Sequence, residues 1–400
     1  MLIYIGFFMK KVNILLIILF CFNTIKANVN VPKETNQNNI EISILTCGPG
    51  KEIYSLFGHT AIRVQILDQH YDKVFNYGMF NFNSDHFVLR FALGQTDYQL
   101  AETPYDYFLY EYTYFKRDVW EQVLNLSYLQ KIDIIKDLRE NLKPENISYR
   151  YNFFYDNCST RPLDKISSRA NKLQLPSKLY DYDVSYRDVI YKYSETDLWA
   201  RFGMNLCIGN QADKPLDIKQ LSFAPIELMN ILDSTYTENG KLAQPIKSIL
   251  SFSNIKDETK LPSPLATFTA LFILITLISY WGYIRKNTFY ILDSLLFAIF
   301  GIAGSILFFL AIFSEHPTVS SNFLLIVFHP LHLIWAPILW VKEKKRSKIH
   351  FHYVNLVILT LFILFYPLIP QRIEFAILPL TLCLWIRSFT YILFLKKINK

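Results

Sequence analysis

Polar and apolar positions divide the chain at about residue 260. Before that point short apolar alternations are interleaved with Tyr, Asn and charged residues; from Pro264 onward long apolar runs take over. Five such runs, at 265–284, 291–313, 322–341, 354–369 and 375–395, approach the ~20 residues needed to cross ~30 Å of hydrocarbon, the fourth being the shortest. A bundle of about five transmembrane helices is therefore expected. Near the start, Lys10 and Lys11 precede a short apolar stretch that ends near Ala27. That is the layout of a secretory signal peptide starting at Met9, with an uncleaved anchor as the alternative. The expected organisation is a signal at 1–27, an exported domain at 28–238, a polar, proline-containing linker at 239–263 and a transmembrane domain at 264–400.

The exported part predicts an α+β domain. Residues 41–46 read as a strand, followed by the turn Cys47-Gly-Pro-Gly. Residues 58–67 alternate with period two, so Thr60, Ile62, Val64 and Ile66 share one face and His59, Ala61, Arg63 and Gln65 the other. With the apolar set toward the core, His59 and Arg63 lie on a polar, site-facing surface. Residues 73–78 pair with that strand after a turn, 87–94 form another strand or a short helix, and 119–126 a further strand. Ser127 caps a helix whose apolar positions Tyr128, Ile132, Ile135, Leu138 and Leu142 recur at helical spacing. A strand-like aromatic run, Phe153 to Tyr155, then stops at Asp156-Asn157, where a new helix begins and continues toward Leu175. Helices are expected around 186–193 and 225–236, with a glycine-containing segment at 199–209.

Charge fixes the orientation of the apolar runs. Arg285-Lys286, five basic residues within 342–348, and Lys396, Lys397 and Lys400 fall on one side; the opposite loops hold only Arg372 as a basic residue. By the positive-inside rule the basic side is cytoplasmic and residues 28–263 lie outside, as a signal peptide also requires. The net charge of +7 is then a basic cytoplasmic face near anionic lipid, and nucleic acid is not needed to explain it.

Candidate chemistry centres on Cys158. It follows Asp156-Asn157 at a helix start supported by Pro162, where unpaired backbone N–H groups and the helix dipole stabilise a thiolate. His59 is the base on offer, and the pair points to cysteine–histidine acyl transfer. Asn76 is the first choice to orient His59, with His70 and His86 next. The bland reading is a structural thiol: Cys47, Cys158 and Cys207 are the soluble part's three cysteines, so one pair and one free thiol is the natural arithmetic, and Cys47–Cys207 is an attractive pair. No metal is expected, because H-x-x-x-H, H-E-x-x-H and paired C-x-x-C patterns are absent.

Three segments, S-I-L-T-C-G-P-G-K-E-I-Y-S-L-F-G-H-T-A-I-R-V from Ser43, V-F-N-Y-G from Val74 and Y-R-Y-N-F-F-Y-D-N-C-S-T-R-P-L-D from Tyr149, resemble the Lnb family. So do W-A-R-F-G-M-N-L-C-I-G-N-Q-A-D-K-P from Trp199 and the apolar runs. These are bacterial lipoprotein N-acyltransferases with a periplasmic domain followed by a transmembrane domain. The resemblance implies Cys158 and His59 as the reactive pair, a phospholipid acyl donor, a diacylated lipoprotein acceptor, no cofactor, and a multi-pass protein of the inner membrane with a cytoplasmic C-terminus. Asn157, Arg63 or Arg161 then assist the oxyanion, or Arg161 binds the lipid phosphate. The order of histidine on a strand and cysteine opening a helix is also similar to circularly permuted papain-like enzymes of the NlpC type. Competing readings are a cell-envelope cysteine peptidase or amidase, and a non-catalytic envelope binding module. In the membrane half, His329, His332 and Arg387 are expected either to line a lipid-entry groove or to serve packing, with Arg387 on a neighbouring helix's carbonyls.

Overall fold

The computed structural model describes residues 39–80, 85–252 and 261–398, so the signal-peptide expectation lies outside the described residues. The strands are β1 (Ile40–Cys47), β2 (His59–Ile66), β3 (Tyr71–Met79), β4 (Asp97–Pro104), β5 (Val119–Val123), β6 (Ser148–Arg150), β7 (Tyr236–Thr237), β8 (Gly240–Lys241) and β9 (Lys247–Leu250). β7 and β8 form a small separate hairpin. The other seven make one sheet in the order β6-β4-β3-β2-β1-β5-β9, with antiparallel neighbours throughout.

Period-two alternation gives this sheet two apolar faces. Ile42, Ile44, Ile62, Val64, Phe75 and Tyr77 lie on one, beneath helices α3 (Tyr128–Asn141), α4 (Thr160–Arg169) and α7 (Pro225–Asp233). Leu45, Cys47, Ala61, Val74 and Val119 lie on the other, beneath α2 (Tyr105–Tyr114). α3 begins as expected, at a capping box between Ser127 and Gln130. Residues 87–94 resolve into a helix, α1 (Phe87–Leu93), ended by Gly94.

Three local expectations are corrected. The aromatic run at Phe153 is a turn: the Asn152 side-chain oxygen accepts from the N–H groups of Phe154 (3.1 Å) and Tyr155 (3.2 Å), curling the chain. Its rings pack against Phe57 and Phe223, so the apolar residues there serve packing and not strand pairing. α4 stops at Arg169. The stretch read as a linker from 239 contributes β8 and the edge strand β9, which pairs with β5.

In the apolar half follow α8 (Pro264–Arg285), α9 (Tyr290–Phe313), α10 (Leu331–Lys344), α11 (His350–Leu364) and α12 (Ile377–Ile398). Four helices are long and apolar enough to cross a membrane, α10 being counted with the short turns that precede it from Pro317. α11 has 15 residues, or about 22 Å of α-helix, short of a full span by itself. Arg387 of α12 donates two hydrogen bonds to Asp293 of α9, Nη2 to Oδ2 at 2.7 Å, and a third to Ser279 of α8 at 2.9 Å. His352 lies between Glu343 (2.9 Å) and Ser388 (3.2 Å). Arg387 is thus paired with a carboxylate, not with helix carbonyls. Buried His332 turns to the Val327 carbonyl at 3.1 Å, whereas His329 is exposed.

The segment from Trp199 joins the two halves. α5 (Tyr186–Tyr193) carries the fully buried Arg187, which donates to Asp213, to Asn205 of α6 (Leu198–Cys207) and to the Gly209 carbonyl. Asn205 and Arg201 in turn donate to Glu374, Asn322 to the Leu206 carbonyl, and the Gly209 N–H to the Thr318 carbonyl at 2.8 Å. A Cβ on Gly209 would stand 2.0 Å from the Ser320 carbonyl oxygen, so glycine alone permits this approach. Gly209→Ala is expected to cost about 1–3 kcal/mol through overpacking. Thermal unfolding of the detergent-solubilised protein would show it as a lowered midpoint, and an unchanged midpoint would refute the close approach.

Candidate active site

Gly58 sets the start of β2. Its φ is +89° and a Cβ there would lie 2.4 Å from the Cys47 carbonyl oxygen, a position only glycine tolerates. The register then sets His59 opposite Cys47 and Thr60 opposite Thr46. From the neighbouring strand β3, Asn76 reaches the histidine, with His59 Nε2 and Asn76 Oδ1 3.2 Å apart. An amide oxygen only accepts, so Nε2 carries the hydrogen and Nδ1 keeps its lone pair. His70 and His86, the other residues considered for this contact, sit exposed at left-handed turn positions.

Cys158 is delivered by the turn that opens α4. Asn157 Oδ1 accepts from the N–H groups of Ser159 (2.8 Å) and Thr160 (3.0 Å), while Nδ2 donates to the carbonyls of Phe153 (2.7 Å) and Phe223 (2.8 Å). Asn157 is therefore wholly engaged in clamping the turn and has no donor left for a reacting group. Ser159 bonds Thr60 through their hydroxyls at 2.9 Å, a buried contact that pins the helix start to β2 beside His59. This leaves the Cys158 side chain over the end of β3, where a Cβ on Gly78 would be 3.5 Å from the Cys158 Cβ. His59, Asn76, Gly78 and Cys158 thus converge at the corner where β2 begins and β3 ends.

Electrostatics at this corner favour neutral partners. Burial raises the Cys158 thiol, against the Thr60 N–H, the Ser159 hydroxyl, its own N–H and the Arg117 cation, which all favour the thiolate. Burial lowers His59 to about 4, opposed by the Asn76 bond and reinforced by Arg117. The expectation of a helix-stabilised thiolate is reversed here. Two of the helix-start N–H groups already belong to Asn157, and desolvation outweighs the rest. At neutral pH the resting pair is thiol and imidazole, not thiolate and imidazolium.

This has a measurable sign. Only the neutral imidazole can take a proton, and that form is lost as pH falls through about 4. The acid limb of activity should therefore lie well below an ordinary histidine's, with a flat profile from about pH 5 to 8. Alkylation of Cys158 by iodoacetamide requires thiolate and should rise with pH across that whole range. An alkylation plateau beginning at acid pH would instead reveal an ion pair.

The remaining polar candidates are committed elsewhere. Arg63 donates to Asp72 (2.8 and 2.6 Å) and Glu121 (2.9 Å) and stacks 3.5 Å over the Tyr105 ring. Arg161 makes a two-pronged bond to Asp156 (2.6 and 2.7 Å) and stacks 3.5 Å over Tyr149. Arg117 is the cation whose field reaches His59, Cys158 and Cys47, and sequence reasoning missed it. It is held by the Gly48 carbonyl at 2.7 and 2.9 Å. In the sequence it is one basic residue in a charged turn, with no signal to set it apart. Cys47 and Cys207 are both free thiols, so the attractive disulfide is not formed. Cys47 is buried in β1 with its thiol pushed up to about 12 by burial, whereas Cys207, at the end of α6, packs among side chains of the apolar helices. Among the described residues, no group of three or more His, Cys, Asp or Glu could hold a metal ion.

The corner offers a thiol, a neutral base with an oriented ring, and backbone N–H groups at the sulfur. Those are the components of covalent acyl transfer. A family model described as the Lnb N-terminal periplasmic domain matches residues 28–195, and one described as the Lnb transmembrane domain matches residues 256–398. No curated protein and no solved structure matches the chain.

Proposed function

Because the chain belongs to the Lnb family, with a periplasmic domain and a transmembrane domain that point to lipoprotein maturation, we propose that it is a lipoprotein N-acyltransferase using Cys158 and His59. The observation that carries this reading is the hydrogen-bonded corner itself. Cys158 is held against β2 and β3 by the Ser159–Thr60 bond, beside a His59 oriented by Asn76. Histidine on a strand and cysteine before a helix match the order of permuted papain-like enzymes, which is the fold analogy we infer for this domain.

In this mechanism His59 Nδ1 takes the Cys158 proton as the sulfur attacks the ester carbonyl of a phospholipid acyl chain. The N–H groups of Thr60 and Cys158 receive the oxyanion, and Arg117 adds positive field. Collapse breaks the ester C–O bond; the lysophospholipid oxygen takes the proton from His59, and a thioester remains on Cys158. The α-amine of a diacylglyceryl-cysteine lipoprotein then attacks the thioester carbonyl. His59 accepts the amine proton and returns it to the departing sulfur. An ester and an amine become an alcohol and an amide, with no cofactor, ATP or metal.

The arrangement across the inner membrane follows the same proposal. Loops 314–321 and 370–374 touch the periplasmic domain, so α12 starts on that side and runs toward a cytoplasmic C-terminus. The test is the mass of a reporter lipoprotein's N-terminal peptide from cells in which this chain is the sole N-acyltransferase. A third acyl chain is expected. Its absence, with the protein present in the membrane, would overturn the reading and turn attention to envelope peptides as substrates.

A further inference from the structure

Helix α1 presents a bare apolar surface that the chemistry above leaves unexplained. Val88 is 79% exposed, Leu89 50% and Phe91 40%. A seven-residue helix on a water-soluble surface gains nothing from displaying these side chains. Its position explains them. The Ser314 hydroxyl donates to the Ala92 carbonyl (2.7 Å) and the Glu315 N–H to the Leu93 carbonyl (2.8 Å), while His316 Nε2 lies 2.9 Å from the Phe91 carbonyl. Those three residues directly follow α9, an apolar helix that ends at Phe313. α1 is thereby tied to the end of a helix long and apolar enough to cross a membrane, a position that suits an interfacial helix.

A second, independent feature leads inward from α1. Aromatic rings follow one another from the membrane helix toward the thiol: His316 to Phe91 at 6.1 Å, Phe91 to Phe87 at 6.3 Å, Phe87 to Phe80 at 5.6 Å and Phe80 to Tyr98 at 4.9 Å. Tyr98 stacks on Tyr151 at 3.9 Å. Phe80 is also only two residues beyond Gly78, whose backbone lies against Cys158.

Building on the acyltransferase reading, we propose that α1 seats in the membrane leaflet on the side of the periplasmic domain, and that the ring track from Phe91 to Tyr98 guides a phospholipid acyl chain from the bilayer to Cys158. An acyl chain drawn out of the leaflet would otherwise expose its methylenes to water; the exposed Phe91 and the half-buried Phe87 and Phe80 offer apolar contact on the way to buried Tyr98. The occupant is a lipid chain and not a protein because α1 is hydrogen-bonded to residues 314–316, which directly follow the apolar helix α9.

The test uses the full chain in nanodiscs of phosphatidylethanolamine and phosphatidylglycerol. Thioester formation on Cys158 is followed by intact mass, with the bilayer phospholipid or with water-soluble p-nitrophenyl butyrate as donor. The double variant Val88→Asp/Leu89→Asp should slow acylation from the bilayer at least tenfold and leave acylation by the soluble ester unchanged. Unchanged acylation from the bilayer, or equal loss with both donors, overturns the proposal. No acyl-enzyme in the wild type from either donor means that the acyltransferase reading has failed, and this inference with it. The seating of α1 is read independently of any reaction. A bimane on Val88→Cys should be quenched by lipids brominated in their chains and protected from aqueous iodide. The reverse pattern overturns the lipid seat and marks α1 as a protein-docking face.

Discussion

Replacing Cys158 by alanine is expected to abolish the third acyl chain on the reporter lipoprotein, lowering the rate by about 10³-fold or more while the protein still folds and inserts. Neither part depends on the other. The Cβ that lies against Gly78 is retained, and the contacts that hold the turn run through Asn157 and through the Ser159–Thr60 pair, not through the sulfur. Loss of the sulfur therefore removes the nucleophile and leaves its cradle. Wild-type enzyme stopped during turnover should carry an acyl group on Cys158 that hydroxylamine releases, and the alanine variant should carry none. Serine should rescue little, since its hydroxyl is far less acidic than a thiol and His59 is a weak base here, lowered to about 4. Full triacylation by the alanine variant would exclude Cys158 as nucleophile. Cys47 would be a poor replacement, being buried in β1 with its thiol held at about 12.

Arg387→Met should be the most damaging single change in the membrane half, costing about 3–5 kcal/mol. Asp293 is fully buried, and Arg387 is its two-pronged partner, so the methionine leaves a buried carboxylate without its counter-charge. The same change releases Ser279, loosening α8, α9 and α12 together. Arg387→Lys should recover only part of the loss, because an ammonium cannot make the planar two-pronged bond. Arg387→Met combined with Asp293→Leu should be markedly more stable than Arg387→Met alone, because the stranded charge is gone. Thermal unfolding in detergent and membrane yield measure all three. If the single variant were as stable as wild type, the pair would not hold the helices together.

Much of the molecule was legible along the chain. The apolar runs after 264, the alternation of β2, the capping box at Ser127 and the residue types at Asn157-Cys158 are local signals. Each is set by the geometry of one element and its immediate neighbours. The face that carries His59 and Arg63 is not the open polar surface the alternation suggested, because Ala61 between them is buried beneath α2 and Arg63 is largely covered. Even Asn76 could be chosen beforehand, since it lies on the strand next to His59, and its contact with that ring is in the structure. Less was visible where local signals conflict: the aromatic residues near Phe153 have strand composition, but Asn152 turns them and Phe57 and Phe223 bury them.

What the tertiary structure alone decided are the contacts between residues far apart in sequence, and the charge states that follow from burial. Thr60 meets Ser159 across 99 positions, Arg387 meets Asp293 across 94, and Gly209 fits beneath Ser320. No periodicity encodes such meetings, because they arise when separate elements pack. The sign of the Cys158 shift was hidden for the same reason. A helix start favours thiolate in the chain as written, but Asn157 takes two of its N–H groups and partial burial raises the thiol. Sequence determined which groups are present and on which element each rides; desolvation, a property of the packed whole, determined which of them carries the proton.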